Sequence, residues 1–233
     1  MEKFNSKRNI DTVISRRNFL KKTALLVGGL AAGTELVVKG VHTIEKINEW
    51  SEIESSVEKL KQKFGLRENE LAIIINPENQ RLYLIKNNSV EKSYPISTSK
   101  YGLGSESGSN KTPMGTHRIV EKIGDGATIG EIFDKKIDTG EKTKIISEKE
   151  DIPVDLVTTR ILSLNGLENN INKGRAVDSY ARSIYIHGTP EEGLIGTPAS
   201  HGCIRMKNKD IIELFNIIPN DTLVEIQNKN FKK

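Results

Sequence analysis

Short runs of strand-forming residues, separated by turn signals, dominate the chain between residues 71 and 122. Leu71–Ile75 is a continuous apolar run, which suits a buried strand. The runs 80–86 and 90–96 flank Asn87-Asn88-Ser89, a sequence typical of a hairpin loop. Strands this short, bounded by Asn, Pro, Ser and Gly, restrict the chain to a mainly β fold.

Helical periodicity appears at both ends of this β region. Apolar residues recur at spacings of three and four from Val41 to Phe64, which predicts an amphipathic helix with Gly65 as its C-cap. This helix either lies against the domain, or acts as a stalk, or forms a coiled coil with a partner. Asn208 is predicted as the N-cap of a second helix. Further strands are predicted at 116–122, 157–162, 183–187 and 222–226. Side chains alternate along 183–187, so His187 is expected on the face opposite Ile184 and Ile186, open towards a cleft.

The positive charge of the chain is concentrated at its start. The formal net charge is +4, from 35 Lys+Arg and 31 Asp+Glu. Residues 1–40 hold eight basic and three acidic residues, so the remainder holds 27 basic and 28 acidic residues and carries −1. The basic excess therefore predicts no nucleic-acid partner, because it is not spread over a folded domain.

The basic start matches an export signal. Ser15-Arg16-Arg17-Asn18-Phe19-Leu20-Lys21 fits the twin-arginine pattern, and the uncharged stretch 23–33 follows it. We expect export by the twin-arginine route, to the periplasm or cell envelope. If the leader is not cleaved, residues 23–38 would remain as an inner-membrane anchor, although Glu35 disfavours that role.

The single cysteine of the chain, Cys203, lies in the motif Ser200-His201-Gly202-Cys203-Ile204-Arg205-Met206. A thiol is a nucleophile only as the thiolate, so it needs a nearby base or positive field. His187, sixteen positions earlier, is a candidate base, and Arg205 is a candidate cation. Gly202 would leave the amides of Gly202 and Cys203 free to stabilise an oxyanion. Together these residues predict a site of covalent catalysis.

Two other interpretations of the same residues stay open at this point. A lone cysteine is most often a small buried apolar residue. The second alternative is a zinc site, because cysteine and histidine are the usual zinc ligands and the chain offers Cys203 with three histidines, His117, His187 and His201. Their spacing fits no common zinc pattern, so no metal is expected, and no organic cofactor is required.

The motif resembles the signature of bacterial L,D-transpeptidases of the YkuD type, cysteine enzymes that cross-link or modify peptidoglycan. Ile186-His187-Gly188 and the cysteine motif carry the resemblance, and Thr112-Pro113-Met114-Gly115-Thr116 is similar to the turn at the edge of that family's cleft. The resemblance runs from about Leu71 to Ile226. It implies a β-sandwich-like core with a C-terminal packing helix. The expected organisation is a leader or anchor at 1–40, the amphipathic helix at 41–66, the catalytic domain at 67–228 and a polar tail at 229–233.

The resemblance also implies residue roles. Cys203 is the nucleophile and His187 is the base, with the Gly188 carbonyl orienting its imidazole. Arg205 either orients a substrate carboxylate or forms a structural ion pair. The substrate-contacting residues are expected to be Ser200, His201 and Arg205, although His201 would alternatively tune the thiolate or pack beneath the loop.

The implied reaction attaches a peptidoglycan stem peptide to the cysteine as a thioester and passes it to an amine. The acceptor would be a diamino acid of a neighbouring stem or a wall-linked protein. An L,D-carboxypeptidase or related cysteine hydrolase, with water as acceptor, shares the same thioester. A non-catalytic wall-binding module is a further alternative. The Ser- and Gly-rich loop 97–110 is expected to act as a lid, and residues 124–182 to cover the substrate groove.

Overall fold

The computed structural model describes the backbone of residues 33–228 and the side chains of residues 49–228. The export motif lies outside this range, as do most of the predicted leader or anchor and the tail at 229–233. Two helices stand in the described range, α1 (Gly33–Phe64) and α2 (Asn208–Ile217). The strands there are β1 (Leu71–Asn76), β2 (Arg81–Lys86), β3 (Ser89–Ser97), β4 (Gly115–Ile123), β5 (Glu131–Asp134), β6 (Ile137–Lys142), β7 (Val157–Gly166), β8 (Tyr185–Gly188), β9 (Ile204–Met206) and β10 (Leu223–Ile226). The predicted mainly β fold with an N-terminal and a C-terminal helix is confirmed.

The strands form one sheet that closes on itself. Its order is β4-β10-β1-β2-β3-β9-β8-β7-β5-β6, and β4 also pairs with β7. Eight strands therefore complete a ring, and the β5–β6 hairpin extends from β7. Only two of the pairings are parallel within residues 33–228, β1 with β10 and β8 with β9. The closed ring places β8 and β9, which carry the predicted site, beside each other.

Side chains alternate between the interior of the ring and its outer face. Ile73 and Ile75 of β1 belong to the interior core, together with Ile186 of β8 and Ile204 of β9. Helix α2 closes this core with Ile211, Leu214 and Phe215. Ala72 and Ile74 point outward and pack with α1. This double burial explains why β1 has a continuous apolar sequence.

Helix α1 packs on the outer face of the sheet. Ile53, Val57 and Leu60 are buried there, so this apolar face contacts the sheet and is not open to a coiled-coil partner. Lys59 adds a polar bond to the sheet, with its Nζ 2.9 Å from Glu225 Oε1 on β10. Within the described part of the chain, no helix is long and apolar enough to span a membrane.

Two local predictions differ from the structure. Asn208 is the first residue of α2 and Lys207 is its N-cap, so the predicted capping role of Asn208 is wrong. Its Oδ1 accepts a hydrogen bond from Thr158 Oγ1 at 2.8 Å, and its Nδ2 donates to Thr189 O at 2.8 Å. These bonds fix the start of α2 against β7 and the end of β8. Strands β5, β6 and β9 were not predicted. β6 is exposed throughout and has no apolar pattern, and β9 is only three residues long.

Candidate active site

The predicted base lies on one of two neighbouring parallel strands, and the predicted nucleophile directly precedes the other. The register of β8 and β9 pairs Ile186 with Ile204 and His187 with Arg205. Because side chains alternate, the two isoleucines point into the core while His187 and Arg205 share the outer face. Cys203 precedes β9 and packs beside Tyr185 on that same face. The fold thus brings Cys203 and His187 to one surface.

The thiol of Cys203 lies between two backbone groups. Tyr185 N donates a hydrogen bond to Sγ at 3.4 Å, and the thiol donates to Ser183 O at 3.3 Å. Burial raises the pKa of the Cys203 thiol to about 12, and the Asp155 carboxylate raises it further. The resting nucleophile is therefore a neutral thiol, and the positive field expected from the sequence does not lower its pKa below the ordinary value. It needs a base at the moment of attack.

His187 has one nitrogen engaged and one without a partner. Its Nδ1 donates to Gly188 O at 2.8 Å, which orients the ring as expected from the resemblance. Its Nε2 is buried and has no hydrogen-bond partner among the described residues. Burial lowers the pKa of His187, although the Asp155 carboxylate favours the charged form. The residue is suited to act as a neutral base through Nε2. No hydrogen bond joins Nε2 to the thiol in this structure.

The predicted exposure of His187 is wrong. Its side chain was expected to open towards a cleft, but the residue is 0% exposed. It is flanked in the sheet by β7, where Ile161 is its register partner, and by β9. Gly188 is equally enclosed, since a Cβ there would lie 2.6 Å from Asn208 Oδ1 and 2.7 Å from Thr158 O.

The turn before Cys203 is held by a chain of hydrogen bonds. Gly202 has a φ of 128°, which L side chains rarely adopt. Its N–H donates to Ser200 Oγ at 3.2 Å, and Ser200 Oγ donates to Cys203 O at 2.5 Å. Thr112, from the Thr-Pro-x-Gly turn, donates from Oγ1 to Gly202 O at 3.0 Å. The predicted cleft-edge turn therefore contacts the cysteine motif directly.

These bonds change two of the predicted roles. The Gly202 amide is not free, because Ser200 accepts its hydrogen, so the prediction of two free oxyanion donors does not fit this geometry. The Cys203 amide has no hydrogen-bond acceptor within residues 33–228 and remains a candidate donor. Ser200 is fully buried and closes the turn, so it does not fit the predicted substrate contact.

Arg205, a residue of the cysteine motif, forms buried ion pairs with two carboxylates. It is 1% exposed, with Nη2 2.8 Å from Asp155 Oδ1 and Nη1 2.9 Å from Glu191 Oε2. Two carboxylates thus balance its charge, and no face of it is open to substrate. The predicted substrate contact does not fit this position, whereas the structural ion pair does.

Asp155 accepts hydrogen bonds from two residues of the motif, and it was not predicted as a site residue. Its Oδ1 accepts from Arg205 Nε at 3.0 Å, and its Oδ2 accepts from His201 N at 2.9 Å. Burial alone would raise its pKa, but His187 and Arg205 hold the pKa of Asp155 below its usual value. Asp155 lies in a segment without periodicity or motif, so no local signal marked it.

His201 is the one motif residue beside the thiol that keeps substantial exposure. Its side chain is 32% exposed, its Nδ1 lies 3.2 Å from Asp155 Oδ2, and its ring centroid lies 5.7 Å from that of Tyr101. The contact with Asp155 fits the packing role, and the exposed part of the ring can still contact a substrate.

The residues proposed for zinc are not assembled. Among residues 49–228 no cluster of three or more His, Cys, Asp or Glu side chains is arranged to hold a metal ion. His117 is buried on β4, where Nδ1 lies 3.0 Å from Gly115 O and Nε2 lies 2.9 Å from Ser179 Oγ. Both nitrogens are therefore engaged away from Cys203.

Comparison with protein families decides the identity of this domain. Residues 70–226 match the family described as the YkuD L,D-transpeptidase catalytic domain. The match covers 157 of 233 residues, about two thirds of the chain. The chain belongs to this family. The L,D-transpeptidase domain so defined contains β1 to β10 and both sides of the site.

Curated relatives match over a shorter segment. The chain is 58% identical over 41 residues to the putative L,D-transpeptidase YkuD of Bacillus subtilis, which is 18% of this chain and 25% of that protein. It is 47% identical over 45 residues to the putative L,D-transpeptidase YqjB of the same organism, 19% of this chain and 26% of that protein. The matched segments span about a quarter of each relative.

Solved structures of L,D-transpeptidases also align with this chain. One from Mycobacterium smegmatis has a TM-score of 0.43 at 14% identity, covering 68% of this chain and 59% of that one. L,D-transpeptidase 3 from Mycobacterium tuberculosis has a TM-score of 0.43 at 16% identity, covering 68% and 61%.

Proposed function

We propose that this protein is a peptidoglycan L,D-transpeptidase that works through a thioester on Cys203. The observation that carries the proposal is the placement of the Cys203 thiol and the unpartnered His187 Nε2 on one face of adjacent strands. A family match over the same residues supports the substrate class. Stem peptides of peptidoglycan are the proposed donors.

The first half-reaction begins with proton transfer. The thiol leaves Ser183 O and turns towards His187, and its proton passes to Nε2 as sulfur bonds to the carbonyl carbon before a terminal D-residue. The Cys203 amide donates to the oxyanion of the tetrahedral intermediate. The intermediate then breaks its C–N bond, and His187 returns the proton to the departing D-amino acid. This sequence suits a thiol with a raised pKa, because no free thiolate is needed at rest.

The second half-reaction resolves the thioester. An amine of a neighbouring stem or of a wall-linked protein attacks the thioester carbonyl and gives its proton to His187. The C–S bond then breaks and the proton returns to sulfur, which leaves a new amide and the free thiol. With water as the acceptor the same steps release a shortened peptide, the outcome of a carboxypeptidase.

Product analysis on purified disaccharide-tetrapeptide tests this function, with Cys203→Ser as the inactive control. We expect mass spectrometry to detect a cross-linked dimer that has lost one D-residue. A trimmed tripeptide alone would assign the protein as a hydrolase. Absence of any product, together with no covalent adduct after incubation with a carbapenem, would leave a non-catalytic wall-binding module.

The proposed substrate places the reaction outside the cytoplasm. The twin-arginine motif at 15–21 supports export to the periplasm or cell envelope. If the leader is not cleaved, residues 23–38 would hold the domain near the wall as an inner-membrane anchor, a role that Glu35 disfavours.

A further inference from the structure

One cation beside the nucleophile has no role in the steps above. Arg182 directly precedes Ser183, whose carbonyl accepts the hydrogen bond of the Cys203 thiol at 3.3 Å. Its Nη2 donates to Lys111 O at 2.7 Å and its Nη1 to Gly104 O at 3.4 Å. Arg182 therefore joins the strand that leads to the catalytic histidine to the loop on the opposite side of the cysteine.

The guanidinium lies on the rim of the nucleophile's turn. The Lys111 carbonyl that it binds is 3.5 Å from the position of a Cβ on Gly202. Burial raises the pKa of the Cys203 thiol, and the Arg182 cation acts in the opposite direction, so the two groups are near enough to interact electrostatically. Arg182 itself is only partly buried and can meet a bound molecule.

Three other cations near the site are already paired. Arg205 is enclosed between two carboxylates. Lys100 pairs with an aspartate at 2.9 Å, and Lys136 pairs with a glutamate. Arg182 makes no ion pair with any side chain of residues 49–228, and its two described hydrogen bonds go to uncharged carbonyls. A guanidinium has five donors in a planar fork that matches a carboxylate, so Arg182 keeps donors for an anionic ligand.

We propose that Arg182 binds the terminal carboxylate of the donor peptide and so selects donors that end in a free carboxylate. The identity of the donor rests on the proposed function. In such a donor the terminal carboxylate belongs to the leaving residue, within one residue of the carbonyl that Cys203 attacks. The rim position of Arg182 fits that short separation. Arg182 would thus perform the carboxylate recognition that was one of the two roles expected for Arg205.

Alkylation of Cys203 by two matched reagents tests the inference without any peptide. Iodoacetate carries a carboxylate and iodoacetamide is its neutral analogue. In both reactions sulfur displaces iodide from the same methylene carbon. The ratio of their rate constants, measured at one pH on one variant, cancels the thiolate fraction. It therefore reports the binding of the carboxylate and is insensitive to a change in the thiol pKa.

We expect Arg182→Gln to lower the iodoacetate-to-iodoacetamide ratio by about three- to tenfold, and Arg182→Lys to keep part of it. The control is Arg67→Gln, which removes the same charge from an 83% exposed arginine ahead of β1 and should leave the ratio unchanged. If the variant only loosened the loop that Arg182 binds, the rate constants for iodoacetate and iodoacetamide would change by the same factor and their ratio would stay constant. An unchanged ratio in Arg182→Gln, in a variant that melts like the wild type, would overturn the proposal.

Donor peptides provide the second readout. Wild-type kcat/KM should be higher by about tenfold for a tetrapeptide stem with a free terminal carboxylate than for its terminal amide, and Arg182→Gln should lose this preference. A preference that persists in Arg182→Gln would contradict the inference. If the wild type turns over neither donor while the alkylation ratio responds as expected, the proposed function fails and the carboxylate site stands.

Discussion

Replacing Arg205 by methionine is expected to destabilise the domain far more than the same replacement at Arg118. Arg205 is 1% exposed and bridges Asp155 and Glu191, at 2.8 and 2.9 Å. The side chain of Arg118 is 41% exposed, and its partner Asp221 is 3.5 Å away and 75% exposed. Removal of Arg205 leaves Glu191, which is fully buried, without its charge partner.

The two environments set the expected magnitudes. Breaking a buried pair by removing one partner costs about 3–5 kcal/mol, whereas an exposed pair contributes about 0–1 kcal/mol. In a domain of this size 1 kcal/mol shifts Tm by roughly 2–4 °C. Arg205→Met should therefore lower Tm by about 6–20 °C, and Arg118→Met by at most about 4 °C.

The difference in Tm between the wild type and Arg205→Met should depend on pH. The lowered pKa of Asp155 stabilises the wild type above the unfolded pKa, and this contribution is lost as pH falls through the folded value. Burial already raises the folded pKa of Glu191 in the wild type, and without Arg205 it should raise that pKa further. It should also lift the folded pKa of Asp155, which is lowered in the wild type, above the unfolded value. Such groups favour the fold below the unfolded pKa and cost stability as pH rises. The Tm gap between wild type and Arg205→Met should then be wider at about pH 7 than at about pH 4.5.

Thermal unfolding followed by circular dichroism at both pH values measures this effect, with Arg118→Met in parallel. The reasoning would be refuted by an Arg205→Met variant that melts within about 2 °C of wild type at pH 7 and yet has lost activity. That result would favour the alternative role of Arg205, in which it orients a substrate carboxylate.

Three further outcomes are expected. Cys203→Ser should lower activity by several orders of magnitude with Tm unchanged, and turnover above about a hundredth of wild type would exclude the covalent mechanism. His187→Ala should slow iodoacetamide labelling of Cys203 at neutral pH, and labelling should then rise about tenfold per pH unit to pH 10 without a plateau, because burial raises the thiol pKa to about 12. The variant should also melt several degrees lower, since the imidazole is buried; a wild-type labelling profile would contradict its role as base. Lysines at Arg16 and Arg17 should retain the protein in the cytoplasm, and unchanged fractionation would show another route or none.

Local patterns were enough to predict β8, the strand that carries His187, but not β9. Alternation in residues 183–187 placed His187 on the face opposite Ile186, and the structure has both residues there. The end of the first helix was also predicted correctly, at Gly65. The structure has a glycine C-cap there, because Gly65 has a φ of 72° and Leu66 N donates to Leu60 O at 3.2 Å. Each of these signals lies within a few residues of the feature that it predicts.

The remaining site residues depend on contacts far apart in the chain. Asp155 meets Arg205 across 50 positions, and Arg182 meets Lys111 across 71. No periodicity within one segment encodes such a meeting, because it depends on the register of strands that pair at long range. The burial of His187 escaped prediction for the same reason, since alternation identifies a face but not what covers it.

The loop expected to act as a lid is bonded to the turn that carries the nucleophile. Ser99 N donates to Thr112 Oγ1 at 2.9 Å, Thr112 Oγ1 donates to Gly202 O, and Lys100 N donates to Ser200 O at 3.0 Å. Any outward swing of this loop would therefore break bonds that shape the cysteine turn itself. If this loop moves to admit substrate, its opening would also release the turn that aligns the thiol. Slow hydrogen exchange at the Ser99 and Lys100 amides would then report the closed state, in which the cysteine turn keeps its shape.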